Sequence, residues 1–156
     1  MVKVYGFTRL IKKMDEIAGR LDEEVIMQIG FVPYEPQHAK HFSHTSYQES
    51  LSYFRNASLV IGHGGAGTIL NALRFNVPIV VVPRGHHYGE HFDDHQMELA
   101  QRLVGNELIK VVYDIEELES AIREMLEKRK KVVQGKTYAE RDALIKTIKD
   151  FVNHGP

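Results

Sequence analysis

The 156-residue chain is 43% hydrophobic and 26% charged, with a formal net charge of -1, an ordinary globular composition that excludes a disordered chain. That charge balance argues against a protein whose main task is gripping nucleic acid, and the lack of cysteine excludes disulfides and thiolate metal sites. No apolar run approaches the ~20 residues of a membrane span and no signal peptide opens the chain. The expectation is a soluble, cytoplasmic single domain over residues 1–156, long enough to bury one α/β core.

In chain order, Val2-Lys3-Val4-Tyr5 predicts a short strand. Phe7, Leu10, Ile11, Met14, Ile17 and Leu21 then recur at helical spacing and mark an amphipathic helix. Residues 24–29 read as a strand ended by Gly30, with Pro33 and Pro36 in the loop beyond it. An extended piece near His41-Phe42 precedes a helix started by Thr45 or Ser46 and carrying Leu51, Tyr53 and Phe54. Strands at 59–61 and 79–82 are each followed by a loop and a helix, and 108–112 is the last strand. Asp114 caps a helix through Leu126, and a terminal helix at about 138–152, within residues 137–153, carries Leu144, Ile148 and Phe151 on one face. That apolar stripe predicts either a docking element for a partner or a cover for the sheet. Strands alternating with helices imply a Rossmann-like, mainly parallel sheet with helices on both faces.

The most informative segment is Leu59-Val60-Ile61-Gly62-His63-Gly64-Gly65-Ala66-Gly67-Thr68, where an apolar strand meets four glycines and then a helix. Glycines at such a turn let the backbone approach a ligand, and the helix start points N–H groups at it, a device for holding phosphate. Gly62, Gly64 and Gly67 formally fit G-x-G-x-x-G, but the next strand ends Val82-Pro83-Arg84 without the carboxylate that a dinucleotide fold places on the ribose. No Gly-Lys-Ser/Thr follows, so a P-loop is excluded as well. The competing reading is a glycine turn serving only tight strand-to-helix packing. The loop after the next strand carries His87, Glu90, His91, Asp94, His95 and Gln96. His87, His91 and His95 fall at i, i+4 and i+8, a zinc-like spacing, yet Gly89 interrupts the helix that would align them. Recognition of a hydroxyl-rich ligand by Asp94, His95 and Gln96 at a helix start is the better fit, with no metal.

Three stretches together carry a resemblance: His63 to Thr68, then Pro78-Ile79-Val80-Val81-Val82-Pro83, then Asp93-Asp94-His95-Gln96-Met97-Glu98-Leu99-Ala100. The chain resembles the C-terminal donor domain of family 28 glycosyltransferases, from Phe7-Thr8-Arg9-Leu10-Ile11-Lys12 to about Leu126. It is most similar to the stand-alone forms of that domain, which serve two-chain UDP-N-acetylglucosamine transferases and bacterial or archaeal polysaccharide synthesis. The resemblance implies a single GT-B C-terminal lobe and inverting transfer from a UDP-sugar to a lipid-linked saccharide. It implies the diphosphate at His63, Gly64, Gly65, Ala66, Gly67 and Thr68, the ribose and uridine at Asn71, Gly30 and Arg84, and the sugar at Glu90, Asp94, His95 and Gln96. It further implies a membrane-anchored partner subunit that presents the acceptor and supplies the general base, His63 being the internal candidate; when isolated, the chain has homo-oligomerisation as an alternative. Two departures stand out. Asn71 occupies a place where many relatives carry glutamate, and Val4-Tyr5-Gly6-Phe7 is shorter than the usual strand, Gly-Thr and loop.

Overall fold

Six short strands hydrogen-bond in parallel into one sheet in the computed structural model, which describes residues 1–84, 95–132 and 138–154. In chain order the described elements are β1 (Val2–Tyr5), α1 (Thr8–Ala18), β2 (Val25–Gln28), β3 (Lys40–Phe42), α2 (Tyr47–Asn56), β4 (Leu59–Gly62), α3 (Ala66–Arg74), β5 (Ile79–Val81), α4 (His95–Leu103), β6 (Ile109–Val111), α5 (Leu118–Val132) and α6 (Tyr138–His154). The strand order is β3-β2-β1-β4-β5-β6. β1 lies in the middle, with Val2 opposite Val25 on one side and Leu59 on the other. The expected Rossmann-like architecture is therefore present, and the described sheet is wholly parallel.

The strands read as continuous apolar runs because both faces of the sheet are buried. Val2, Val4, Leu59, Ile61, Val80 and Val82 face α1 and α5, while Val60, Ile79 and Val81 face α2, α3, α4 and α6. On α1, Leu10, Ile11, Met14 and Ile17 are fully buried, each stabilising the fold by about 1.5–3 kcal/mol. The apolar stripe of α6, Leu144, Ile148 and Phe151, is buried in the core of the α3 face, so those three side chains cover the domain's own interior.

Local signals set the helix ends. Ser46 accepts a hydrogen bond from the Glu49 amide at 3.2 Å and starts α2, while the Glu49 carboxylate accepts from the Thr45 hydroxyl. Asp114 caps a short 3₁₀ turn, Ile115–Glu117, that leads into α5. α3 stops where Asn76 adopts φ 56° and the Val77 amide reaches back to Ala72 at 2.8 Å, a left-handed C-terminal cap.

One connection departs from the alternation. β2 and β3 are parallel neighbours, yet residues 29–39 join them without a helix, where a helical crossover is usual. Val32, Tyr34 and Ala39 of this crossover pack on the core of the α1 face.

Candidate functional site

The sheet order reverses between β1 and β4, the position at which open α/β sheets form a crevice beyond the strands' carboxyl ends. A cleft of about 780 Å³ opens there, lined by residues 6–9, Lys12, residues 29–33 and Arg84. The exits of β1, β2 and β5 and the first turns of α1 thus contribute to one cavity. Arg9 ties two of these pieces together: its guanidinium stands 3.4 Å from the Pro83 carbonyl, at the exit of β5, and 5.3 Å from the Phe7 ring. Lys12 Nζ lies 5.9 Å from the Tyr34 ring. The lining therefore gathers Arg9, Lys12 and Arg84, and no carboxylate among the described residues. Gly30 takes φ 57° with open space where a side chain would stand. Its backbone conformation alone favours glycine. The next residue, Phe31, is 92% exposed at the cleft and meets the His44 ring at 4.9 Å.

The glycine loop leaves β4, which pairs directly with β1, so it sits beside the cleft's β1 wall. Gly64 adopts φ 90°, and a Cβ there would stand 2.9 Å from Val81 Cγ1. A Cβ on Gly65 would stand 2.7 Å from Cε1 of His63, whose half-buried imidazole folds over that backbone. These two glycines have reasons internal to the fold. Gly67 has none: it is exposed, in the first turn of α3, with nothing within 4 Å of where its Cβ would be. Gly65 is the N-cap of α3 and offers no capping side chain, and the first turn carries no acidic residue. That helix start is electrostatically suited to an anion.

Among the residues singled out in the sequence, Gly30 and Arg84 line the cleft together. His63 to Thr68 form the neighbouring loop and helix start, with the Thr68 methyl 3.3 Å from a Cβ built on Gly62. Asn71 lies further along α3, partly buried, and is not part of the cleft lining. Glu90 and Asp94, like His87 and His91, lie outside the described residues; His95 opens α4, followed by Gln96, and only their backbone is described. Among the described residues no three histidine, aspartate or glutamate side chains group as metal ligands would. Sequence reasoning passed over the cleft's Thr8, Arg9, Lys12 and Phe31. The first three were legible as the polar side of α1's opening turns at the exit of a central strand.

This geometry agrees with the family comparison. The model of the glycosyltransferase family 28 C-terminal domain matches residues 5–153. The chain belongs to that family. It is also similar to the UDP-N-acetylglucosamine transferase subunit ALG13 of Candida albicans (strain SC5314 / ATCC MYA-2876), 32% identical over 78 residues, covering 49% of this chain and 25% of that protein. Among solved structures, the glycotransferase of kitacinnamycin superposes with a TM-score of 0.65 at 18% identity, over 99% of this chain and 43% of that one. The glycosyltransferase VinC in complex with dTDP gives 0.58 at 16% identity, over 97% and 40%. Each of these likenesses thus spans less than half the length of the relative. The structural likeness shows that this chain shares the Rossmann-like, GT-B-type fold of those glycosyltransferases. No described helix is long and apolar enough to cross a membrane.

Proposed function

We propose that this family 28 domain is the donor-binding lobe of an inverting glycosyltransferase, moving a hexose or N-acetylhexosamine from a UDP-sugar to a lipid-linked saccharide. The observation that carries this is the cleft at the reversal of strand order, with Arg9, Lys12 and Arg84 in its lining beside a glycine-capped helix start. In inverting transfer, an acceptor hydroxyl attacks the anomeric carbon from the face opposite the nucleotide. The bond from that carbon to the β-phosphate oxygen breaks, and UDP departs with the electron pair. Charge grows on the diphosphate as that bond breaks, so preorganised donors there stabilise the transition state more than the ground state. The α3 amides at Ala66, Gly67 and Thr68 and the cleft's cations fill that role without a metal cofactor. Gly30, Arg84 and Asn71 would hold uridine and ribose, and Glu90, Asp94, His95 and Gln96 the sugar.

The hydroxyl's proton needs a base, which we assign to a partner lobe rather than to His63, whose ring is folded onto Gly65. A partner is supported by the Candida relative, which is itself named a subunit. The partner would be membrane-anchored, present the lipid-linked acceptor and recruit this lobe to the cytoplasmic face. A second reading, a nucleotide-binding module without catalysis, is favoured by Asn71 and by the two-residue turn, Gly6-Phe7, between β1 and α1.

Calorimetric titration with UDP, UDP-N-acetylglucosamine and UDP-galactose in EDTA tests the proposal, on wild type and Gly65→Val. The valine would displace the His63 imidazole and place two methyl groups at the N-cap of α3. Metal-independent binding that the variant loses is the expected result; a wild-type chain that ignores every UDP compound refutes the donor-lobe reading. Binding without sugar transfer in the presence of the acceptor-binding subunit would select the module.

A further inference from the structure

The wall of the cleft opposite α1 is built from irregular chain, and one buried carboxylate fastens it. Asp15, on α1 one turn beyond Lys12, is 2% exposed. Its carboxylate accepts hydrogen bonds from the Tyr34 hydroxyl at 2.6 Å, the Gln37 amide at 2.9 and 3.0 Å, and the His38 amide at 2.7 Å. The His38 imidazole Nδ1 stands a further 3.5 Å away. All of these donors belong to the crossover from β2 to β3, whose residues 29–33 line the cleft. The crossover's beginning is held differently, by the Ile29 and Gly30 amides bonding to the Phe42 and Ser43 carbonyls at 3.0 Å each. Between these anchors the segment has no regular structure to satisfy its amides, and a buried amide without a partner is costly.

A charged group under α1 is an expensive choice where Met14, Ile17 and Ala18 already build an apolar core. Burial alone would raise the Asp15 pKa; the Tyr34 hydroxyl and the Gln37 and His38 amides outweigh it and hold the carboxyl below its ordinary range. The carboxylate therefore stays charged across the neutral range. What it secures is geometric. Tyr34, which it orients, also carries the Lys12 ammonium over its ring, so the same clamp bears on a cation of the opposite wall.

We propose that Asp15 is a positioning residue for the nucleotide: by clamping the helix-free crossover onto α1 it sets the separation of the cleft's two walls, and with it the affinity for a nucleoside diphosphate. This rests on the donor-lobe reading above. The probe is UDP, titrated into the full chain carrying Asp15→Asn, with amide hydrogen exchange followed in the same samples. Asparagine keeps the shape but loses the charge that strengthens three hydrogen bonds, so UDP binding is expected to weaken about tenfold or more. Exchange at residues 30–38 should quicken while β4, β5 and β6 stay protected. A purely structural Asp15 would lower the melting temperature and leave the affinity of the folded protein unchanged, and that result overturns the proposal. So does weakened binding with unaltered exchange at residues 30–38. Should Asp15→Asn not fold, the double variant Tyr34→Phe/His38→Ala removes two side-chain contacts and leaves the charge paired with backbone. It should weaken UDP about threefold, and unchanged affinity there counts against the clamp. Wild type failing to bind UDP would instead sink the donor-lobe reading, and this inference with it.

Discussion

Replacing Lys3 by methionine is expected to stabilise the fold and remove part of its pH dependence. Lys3 lies fully buried on β1, and its ammonium has no hydrogen-bond partner among the described residues. It sits in an aromatic box, 4.0 Å from the Phe42 ring centre, 4.1 Å from that of Tyr53 and 5.0 Å from that of Tyr5. Burial pushes its pKa from the ordinary 10.5 down to about 7, against a weaker upward pull from Glu49. That displacement corresponds to about 5 kcal/mol between the charged and neutral forms. The three ring faces return roughly 0.5–1 kcal/mol each, leaving a net cost of roughly 2–3.5 kcal/mol at pH 7. Below pH 7 folded and unfolded chains both hold the proton, and the folded one bears the full cost. Between about pH 7 and 10.5 the folded chain has released a proton that the unfolded chain keeps, so stability rises with pH. From pH 7 to pH 9 the wild type should gain roughly 2 kcal/mol from this group, and Lys3→Met, similar in volume, should not. At pH 7 the variant should melt roughly 5–10 °C higher. Urea unfolding at pH 7 and pH 9 measures both effects. A variant less stable at pH 7, or one with the wild type's pH slope, refutes the reasoning.

Two further predictions bear on the site. Gly67→Ala meets no atom within 4 Å and adds helix propensity, so it should stabilise the chain by about 0.5–1 kcal/mol while weakening UDP binding through crowding at the helix start. Thermal melts and calorimetry separate the two effects, and an alanine variant that binds UDP normally would return Gly67 to a neutral position. Arg84→Met leaves the fold's core untouched, since Arg84 is partly exposed at the exit of β5. It should weaken UDP about tenfold and flatten the salt dependence of binding; unchanged affinity from low to high salt would remove Arg84 from the site.

The architecture was legible because its determinants are local. Short apolar runs and period-3.6 patterns recovered the strands and helices, Thr45 or Ser46 and Asp114 marked two starts, and the four glycines from Gly62 to Gly67 marked the turn from β4 into α3. The family match to residues 5–153 agrees with motifs visible in the linear chain. Asp15 and Lys3 were not legible in this way. Each is a charged residue within an otherwise ordinary pattern, and the sequence does not say that one is covered by an irregular crossover and the other enclosed by rings from β1, β3 and α2. The stripe on α6 likewise offered two destinations until packing against the α3 face chose one.

By itself, then, the sequence determined an α/β chain with a glycine-rich turn at the end of an inner strand, because backbone conformation and side-chain alternation respond to neighbours a few residues away. Only the tertiary structure decided which strand ends meet. The order β3-β2-β1-β4-β5-β6 brings residues 6–9, 12, 29–33 and 84 around one cleft and sets the glycine loop beside it. Hydrogen bonding between strands distant in sequence makes that choice, and no local pattern encodes it.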